Sequence, residues 1–462
     1  MSSHATAANA IAVPRVFLFL SIVATLALAS CTGGSQPSLR LVPAPATNPA
    51  SSPVVGNYIK HVIIIVQENR SFDNLFAGFP GADAPMFGYD LKHRRIPLQT
   101  VDFIPLVNLD HDFQPAVRAW NHGKMNGFNG TVSGLPNDYP YAHLRRSEIL
   151  PYWDLAQHYV LADHMFPTEF GPSFTGHLSL IAGTTSLSPT KALADNPIGG
   201  PWGCDAAPGT ITFTVNLARV IKTGPFPCFT QFHTMADVLD AGRLAWKYYA
   251  PAIDADKGGV LWSSFDTIHA VRYGADWSAD MSSPQTNVLA DAKNGKLPNV
   301  GWVIPDWTWS DHPSSGSDLG PSWVAAVVNA IGNGPEWKST AIVIVWDDWG
   351  GWYDNVPPPK LHDFRGPGIR VGCIIISPYA KPHYVDHTQY EFGSILRFAE
   401  EAFGLPTIGP ESAGYTDARA RSLDNAFDFT QAPRPFTTIP AKYPPSTFLL
   451  QKPSGRPPDT DL

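Results

Sequence analysis

An α/β fold on a mostly parallel sheet, covered by helices on both faces, is what this sequence predicts. Short β-branched runs recur along the chain, helix-like segments lie between them, and polar residues gather where the runs end. The run at 59–66 (IKHVIIIV) has no polar alternation, the mark of a strand buried on both faces. Similar runs stand at 158–162, 300–304, 340–346 and 369–377. Helix-like segments at 235–242, 321–332 and 391–403 separate them, and such alternation implies a parallel sheet between two helix layers. Residues 185–233 and 250–296 lack strong periodicity and read as loop-bearing insertions, while the Pro-rich tail 406–462 reads as a surface wrap.

The 462 residues carry 32 Lys+Arg against 40 Asp+Glu, a net charge of −8, with 44% hydrophobic and 16% charged residues. The 45 Pro and 38 Gly stay below the roughly 25–30% that marks a low-complexity chain. Disorder, collagen-like repeats and coiled coils are therefore excluded. No Lys/Arg cluster offers the basic patch that a nucleic-acid partner needs.

Arg15 is the only Lys or Arg before the uncharged run 16–29. That run is shorter than the about 20 residues of a bilayer span, so it reads as the apolar core of a signal peptide. It ends in Leu28-Ala29-Ser30-Cys31, which resembles the lipobox of bacterial lipoproteins, whose cysteine is lipidated and begins the mature chain. An ordinary signal cleaved after Ser30 is the alternative. The expected organisation is a signal peptide at 1–30, a Pro/Ser/Ala-rich tether at 31–57, a globular domain at 58–405 and the tail. An exported lipoprotein, periplasmic or at the cell surface, follows, with the membrane as partner through its lipid. The oligomeric state leaves no signature. In an oxidising compartment, Cys204 and Cys228 can close a loop of about 25 residues. Cys373 sits in an apolar run and reads as a buried free thiol.

In an open parallel sheet, ligands bind beyond the carboxyl ends of the strands. Gln67-Glu68-Asn69-Arg70-Ser71-Phe72-Asp73 follows the first run, and Trp346-Asp347-Asp348-Trp349-Gly350-Gly351 closes the 340–346 run. Asp163-His164 and then Gly171-Pro172-Ser173-Phe174-Thr175-Gly176-His177 follow residue 162, and Pro305-Asp306 and then Asp311-His312-Pro313 follow residue 304. Two adjacent carboxylates near the interior need a cation to stay ionised. Glu68, Asn69, Asp347 and Asp348 together make an all-oxygen set that suits Mg²⁺, Ca²⁺ or Mn²⁺ better than a soft metal, with a solvated acidic turn as the alternative. Ser71 or Asp73 could simply cap a helix, and Arg70 could pair with a surface acid.

Ser173 is the candidate nucleophile. Gly171-Pro172 forces a turn, and the following ten residues read as a helix whose positive end favours an alkoxide and a phosphate oxygen; a plain helix N-cap is the alternative. His177, one turn on, shares that face and is placed to contact a phosphate at Ser173. His111, between Asp110 and Asp112, and His312, beside Asp311, have carboxylate neighbours that favour a protonated imidazole, suited to transition-state charge on phosphorus. Trp302, Trp307, Trp309, Trp346, Trp349 and Trp352 either wall a pocket or form an aromatic core layer.

The motifs at Glu68–Asp73, Gly171–Ser173, Asp311–Pro313 and Trp346–Pro359 closely resemble the bacterial phosphoesterase family. That family includes non-specific phospholipases C and a group of acid phosphatases and is related to the alkaline phosphatase superfamily. The resemblance spans about residues 58–405. It implies an alkaline-phosphatase-like, three-layer α/β/α fold and hydrolysis of phosphate esters through a phosphorylated hydroxyl side chain. It makes Glu68, Asn69, Asp347 and Asp348 the ligands of a divalent metal and Ser173 the nucleophile. His111, His177 and Asn69 become substrate contacts, and His312 and His111 the catalytic imidazoles. Three departures stand out: His177 where many phospholipase members carry Arg, Thr175-Gly176 for a Pro-Asn pair, and Trp349 and Asn355 where His is frequent. The serine favours an acid-phosphatase-like, metal-dependent enzyme with a phosphoserine intermediate. A phospholipase C cleaving phospholipid diesters is the alternative. A non-catalytic binding lipoprotein is disfavoured because nucleophile and carboxylates are all present, and the Cys/Ser-x-Pro-x-Arg motif of sulfatases is missing.

Overall fold

The computed structural model describes residues 55–198, 202–251, 262–359, 363–452 and 454–455. The expected signal peptide, Cys31 and nearly all of the tether lie outside the described residues.

Eight strands form the central sheet: β1 (His61–Gln67), β2 (Val160–Ala162), β3 (Trp246–Tyr249), β4 (Met281–Ser282), β5 (Val300–Val303), β6 (Thr340–Trp346), β7 (Cys373–Ile376) and β8 (Tyr384–Asp386). Their order across the sheet is β4-β3-β5-β1-β6-β7-β2-β8. All neighbours are parallel except at β7, which runs antiparallel to both β6 and β2. β1 and β6 are buried along nearly their whole length, as unbroken apolar runs require when both faces are covered.

The helices fall into two sets. Helix α2 (Ser173–Ala182) packs with α3 (Met235–Ala241) and α6 (Phe392–Phe403), whereas α1 (Leu150–His158) and α4 (Asn287–Asn294) pack against α5 (Gly320–Gly332). The sheet lies between layers, as the alternation implied. No described helix is long and apolar enough to cross a membrane.

The region read as a loop-bearing insertion at 185–233 holds a four-stranded antiparallel sheet of strands only three or four residues long. Such short strands leave no run for periodicity to register. Cys204 and Cys228 are joined in a disulfide here, and Cys373 is a buried free thiol. In the tail, Phe448 packs on Trp309 and Trp323, with ring centroids 5.2 and 5.3 Å away.

Several carboxyls are buried away from the strand ends. Glu169 accepts a hydrogen bond from Thr185 at 2.5 Å, yet burial pushes its pKa up to about 8. Burial, and then Asp417, push Glu400 up to about 9. An unfolded glutamate titrates near 4.3, so the folded chain holds more protons than the unfolded one up to about pH 8. The stabilisation these groups give is complete below the unfolded pKa and is lost as pH rises towards the folded one. Between about pH 7.5 and 8.5, where ordinary imidazoles, with pKa near 6.5, are mostly neutral, the melting temperature is therefore expected to fall. Thermal melts across that window check the sign, and a rise would contradict it.

Candidate active site

The site begins with register. β1 and β6 are parallel neighbours with Gln67 opposite Trp346, so Glu68-Asn69 and Asp347-Asp348 leave the sheet at the same edge. Backbone bonds then stitch the two exits together: Asp347 N–H donates to the Gln67 carbonyl at 3.0 Å, and Arg70 N–H to the Asp348 carbonyl at 3.1 Å. Asn69 takes a left-handed backbone, with φ +49°, and donates its N–H to Asp347 Oδ1 at 2.9 Å. Gly350 faces it at φ +61°, where a Cβ would overlap the Asn69 carbonyl.

Helix α2 brings the serine. A Cβ on Gly176 would sit 2.5 Å from the Asp347 carbonyl oxygen, so glycine lets the first turn lie directly on the end of β6. Ser173, the first helical residue, is fully buried. Its Oγ donates to Asp348 Oδ2 at 3.1 Å and lies 3.4 Å from Asn69 Oδ1. Asp348 Oδ1 accepts the Gly350 N–H at 2.7 Å. Acids from two strands and a hydroxyl from a third segment thus meet at one point.

Glu68, His177 and Asp347 form a second, contiguous group. Nε2 of His177 lies 2.7 Å from Glu68 Oε1 and 3.8 Å from Asp347 Oδ2, and all three residues are buried. One ligand atom from each falls within 4.8 Å of the other two. Burial pushes the His177 pKa down to about 4, against the pull of Asp347. Burial and the neighbouring Asp347 hold Asp348 well above the carboxylate range. Neither Asp347 nor Asp348 pairs with a Lys or Arg among the described residues, and Asp347 Oδ2 makes no hydrogen bond. Buried acids so arranged fit a divalent cation, because without one they must neutralise.

His111 uses both ring nitrogens inside the protein. Nδ1 donates to the Leu109 carbonyl at 2.6 Å, so Nε2 is the acceptor for Asn69 Nδ2 at 2.8 Å. The ring therefore fixes the Asn69 amide with Oδ1 towards Ser173. It also lines a cleft of about 730 Å³ formed by Val107, Asn108, Leu109, Asp110, Gly130, Thr131, Val132, Ser133 and Ser314. Nδ1 of His312 accepts the Ser314 N–H at 3.1 Å, which leaves the ring proton on Nε2.

Two of the three carboxylates beside these imidazoles have other partners. Asp311 accepts from Tyr152 and from Trp346 Nε1, both at 2.9 Å, and Asp110 faces Arg118 at 3.7 Å. Arg70 is no surface residue: it is buried, donating to the carbonyls of Asp311 and Phe103. Ser71 does cap the short helix Phe72–Phe76, accepting the Asn74 N–H. The six tryptophans singled out above are all buried and none lines the cleft, so the core-layer alternative holds.

Sequence reasoning missed two features. Asp73 and Asp354, from the first and last motifs, share the buried Arg370 at 3.1 and 2.9 Å, clamping those motifs together. The length of both motifs beyond their metal-type residues was the available signal. Trp262 lies parallel to His177 with centroids 6.1 Å apart and stacks on Trp307 at 5.7 Å, and nothing in the local pattern announced it.

The model of the phosphoesterase family matches residues 59–406, three quarters of the chain. The chain belongs to the phosphoesterase family. It is a phosphoric ester hydrolase. Phospholipase C B of Mycobacterium tuberculosis is 24% identical over 442 residues, covering 82% of this phosphoesterase and 79% of that protein. Non-specific phospholipase C1 of Arabidopsis thaliana is 26% identical, covering 87% and 77%. Non-hemolytic phospholipase C of Burkholderia pseudomallei is 24% identical, covering 83% of this chain and 61% of its own length. A solved protein of the alkaline phosphatase superfamily from Vibrio parahaemolyticus aligns with a TM-score of 0.38 at 10% identity, over 79% and 70% of the two chains. A likeness that distant carries no argument, and the α/β assignment stands on the sheet itself.

Proposed function

We propose that this phosphoesterase is a metal-dependent, acid-phosphatase-like hydrolase of phosphate monoesters that works through a phosphoserine at Ser173. The observation that carries the reading is the Ser173 hydroxyl, 3.1 Å from Asp348 and beside the Glu68–His177–Asp347 group. Glu68, Asn69, Asp347 and Asp348 would hold the cation, which when bound supplies Lewis-acid stabilisation of charge on the phosphate and the serine oxygen. Ser173 Oγ attacks phosphorus while its proton passes to Asp348 Oδ2, the acceptor it already has. Protonated on both nitrogens, which requires Nδ1 to release the Ser314 N–H it accepts here, His312 would give its Nε2 proton to the leaving oxygen and become neutral. His111 keeps Asn69 Oδ1 turned towards the serine. Water then attacks the phosphoserine, the neutral imidazole takes its proton, and Asp348 returns its own to the departing Ser173 oxygen.

The cleft favours a polar leaving group. Polar side chains outnumber apolar ones in its walls, with Asn108, Asp110, His111, Thr131, Ser133 and Ser314 beside Val107, Leu109 and Val132, and the tryptophans that could have offered a lipid-facing wall are buried. A phospholipase C is the second reading, supported by the names of the curated relatives. Initial rates on p-nitrophenyl phosphate are expected to exceed those on p-nitrophenylphosphorylcholine. The reverse order would favour the diesterase.

Export with a lipid at Cys31 belongs to the same proposal and rests on the Leu28–Cys31 pattern. Metabolic labelling with a radioactive fatty acid is expected to mark the native chain but not Cys31→Ala. Equal labelling of both would remove the anchor from the proposal.

A further inference from the structure

We infer that His177 is itself a ligand of the cation, making the centre a mixed nitrogen–oxygen site that selects a borderline transition-metal ion, Zn²⁺ above all, over Mg²⁺ or Ca²⁺. The inference rests on the metal-dependent reading and deepens it by changing the donor set from the all-oxygen one that the sequence suggests.

Donor atoms bound cis or tetrahedrally to one Zn²⁺ at about 2.0–2.2 Å lie roughly 3.0–3.5 Å apart. The separations from His177 Nε2 to Glu68 Oε1 and to Asp347 Oδ2, 2.7 and 3.8 Å, bracket that range. Asp347 is wholly buried, and its Oδ2, the atom facing the imidazole, makes no hydrogen bond. A buried carboxylate oxygen held in that state is waiting for a partner that the protein itself does not provide.

The imidazole is also held as a ligand must be. It stands on a helix, whose first turn lies on the end of β6 because residue 176 has no Cβ. Trp262 lies parallel to the ring, within 1°, and Trp307 backs Trp262. Ligands on rigid elements with a packed second layer keep their geometry. An imidazole in an otherwise carboxylate site raises the preference for Zn²⁺ and similar ions relative to Mg²⁺ and Ca²⁺, which take oxygen donors.

The competing arrangement is a His177 that merely donates Nε2–H to Glu68 while oxygen atoms alone bind the ion. X-ray absorption at the zinc edge of the metal-stripped, Zn²⁺-reloaded full chain separates the two. The inference expects the multiple-scattering pattern of a coordinated imidazole in the native protein and its loss in His177→Gln. In the same variant, the ratio of Zn²⁺ to Mg²⁺ affinity, read by calorimetric competition, is expected to fall by more than the roughly 10–100-fold typical of losing an outer partner. Bound Zn²⁺ without the imidazole pattern overturns the inference and leaves the metal-dependent reading standing. A pattern that survives in His177→Gln overturns it too, because another imidazole is then the ligand. A chain that binds neither ion overturns both. Should the variant not fold, His177→Asn serves in its place, and absence of the pattern in the native protein still overturns the inference.

Discussion

Ser173→Ala is expected to lower turnover by at least about 10³-fold, on the order of 4 kcal/mol of lost transition-state stabilisation, and to leave cation affinity within a few-fold of the native chain. The change removes one oxygen, whose hydrogen bonds run to Asp348 Oδ2 and Asn69 Oδ1. Asp348 keeps the Gly350 N–H and Asn69 keeps the His111 ring, so the carboxylate edge stays in place. Alanine is also a good helix former at the start of α2. Steady-state kinetics together with calorimetric metal binding check both halves. A variant that turns over at the native rate would remove Ser173 from the chemistry.

Asp347→Asn, or chelation of the native chain, is expected to reduce turnover by at least about 10²-fold. Restoring the divalent ion should rescue the chelated protein but not the variant. Asn can keep the bond from the Asn69 N–H that Asp347 Oδ1 now accepts, but at Oδ2 it offers a neutral group in place of charge. Stability should move the other way. In the metal-free chain Glu68, Asp347 and Asp348 are all buried, and removing one charge relieves their repulsion. The metal-free variant is therefore expected to melt at or above the temperature of the metal-free native chain. A variant that is inactive because it is unfolded would show the opposite, and parallel melts with and without metal tell the two apart.

What could be read from sequence follows from the physics of parallel strands. The runs that became β1, β5 and β6 are continuous and apolar, and parallel neighbours end at one edge, so Glu68-Asn69 and Asp347-Asp348 could be brought together before any coordinates. Strand direction was less accessible. The 369–377 run became the four-residue antiparallel β7, because direction depends on how the chain returns rather than on composition. Short strands in the 186–223 region escaped for want of length. Within the site, residue type was legible and partner choice was not. Asp311 looks like the natural companion of His312, yet Tyr152 and Trp346 take its carboxylate. His177 looks like a phosphate contact, and its ring nitrogen instead meets Glu68, because the seating of α2 on the β6 end decides where the ring goes. Pairings of this kind come from packing between distant segments, to which local pattern is blind.

The proposed reaction is a double displacement at phosphorus with Ser173 as the first nucleophile. Its most direct measurement is the stereochemical course of phosphoryl transfer from a substrate made chiral at phosphorus with oxygen isotopes, with an alcohol as acceptor. Two in-line displacements restore the starting configuration, so net retention is the expected result. Net inversion would mean a single attack on phosphorus with no serine intermediate, and would contradict the account.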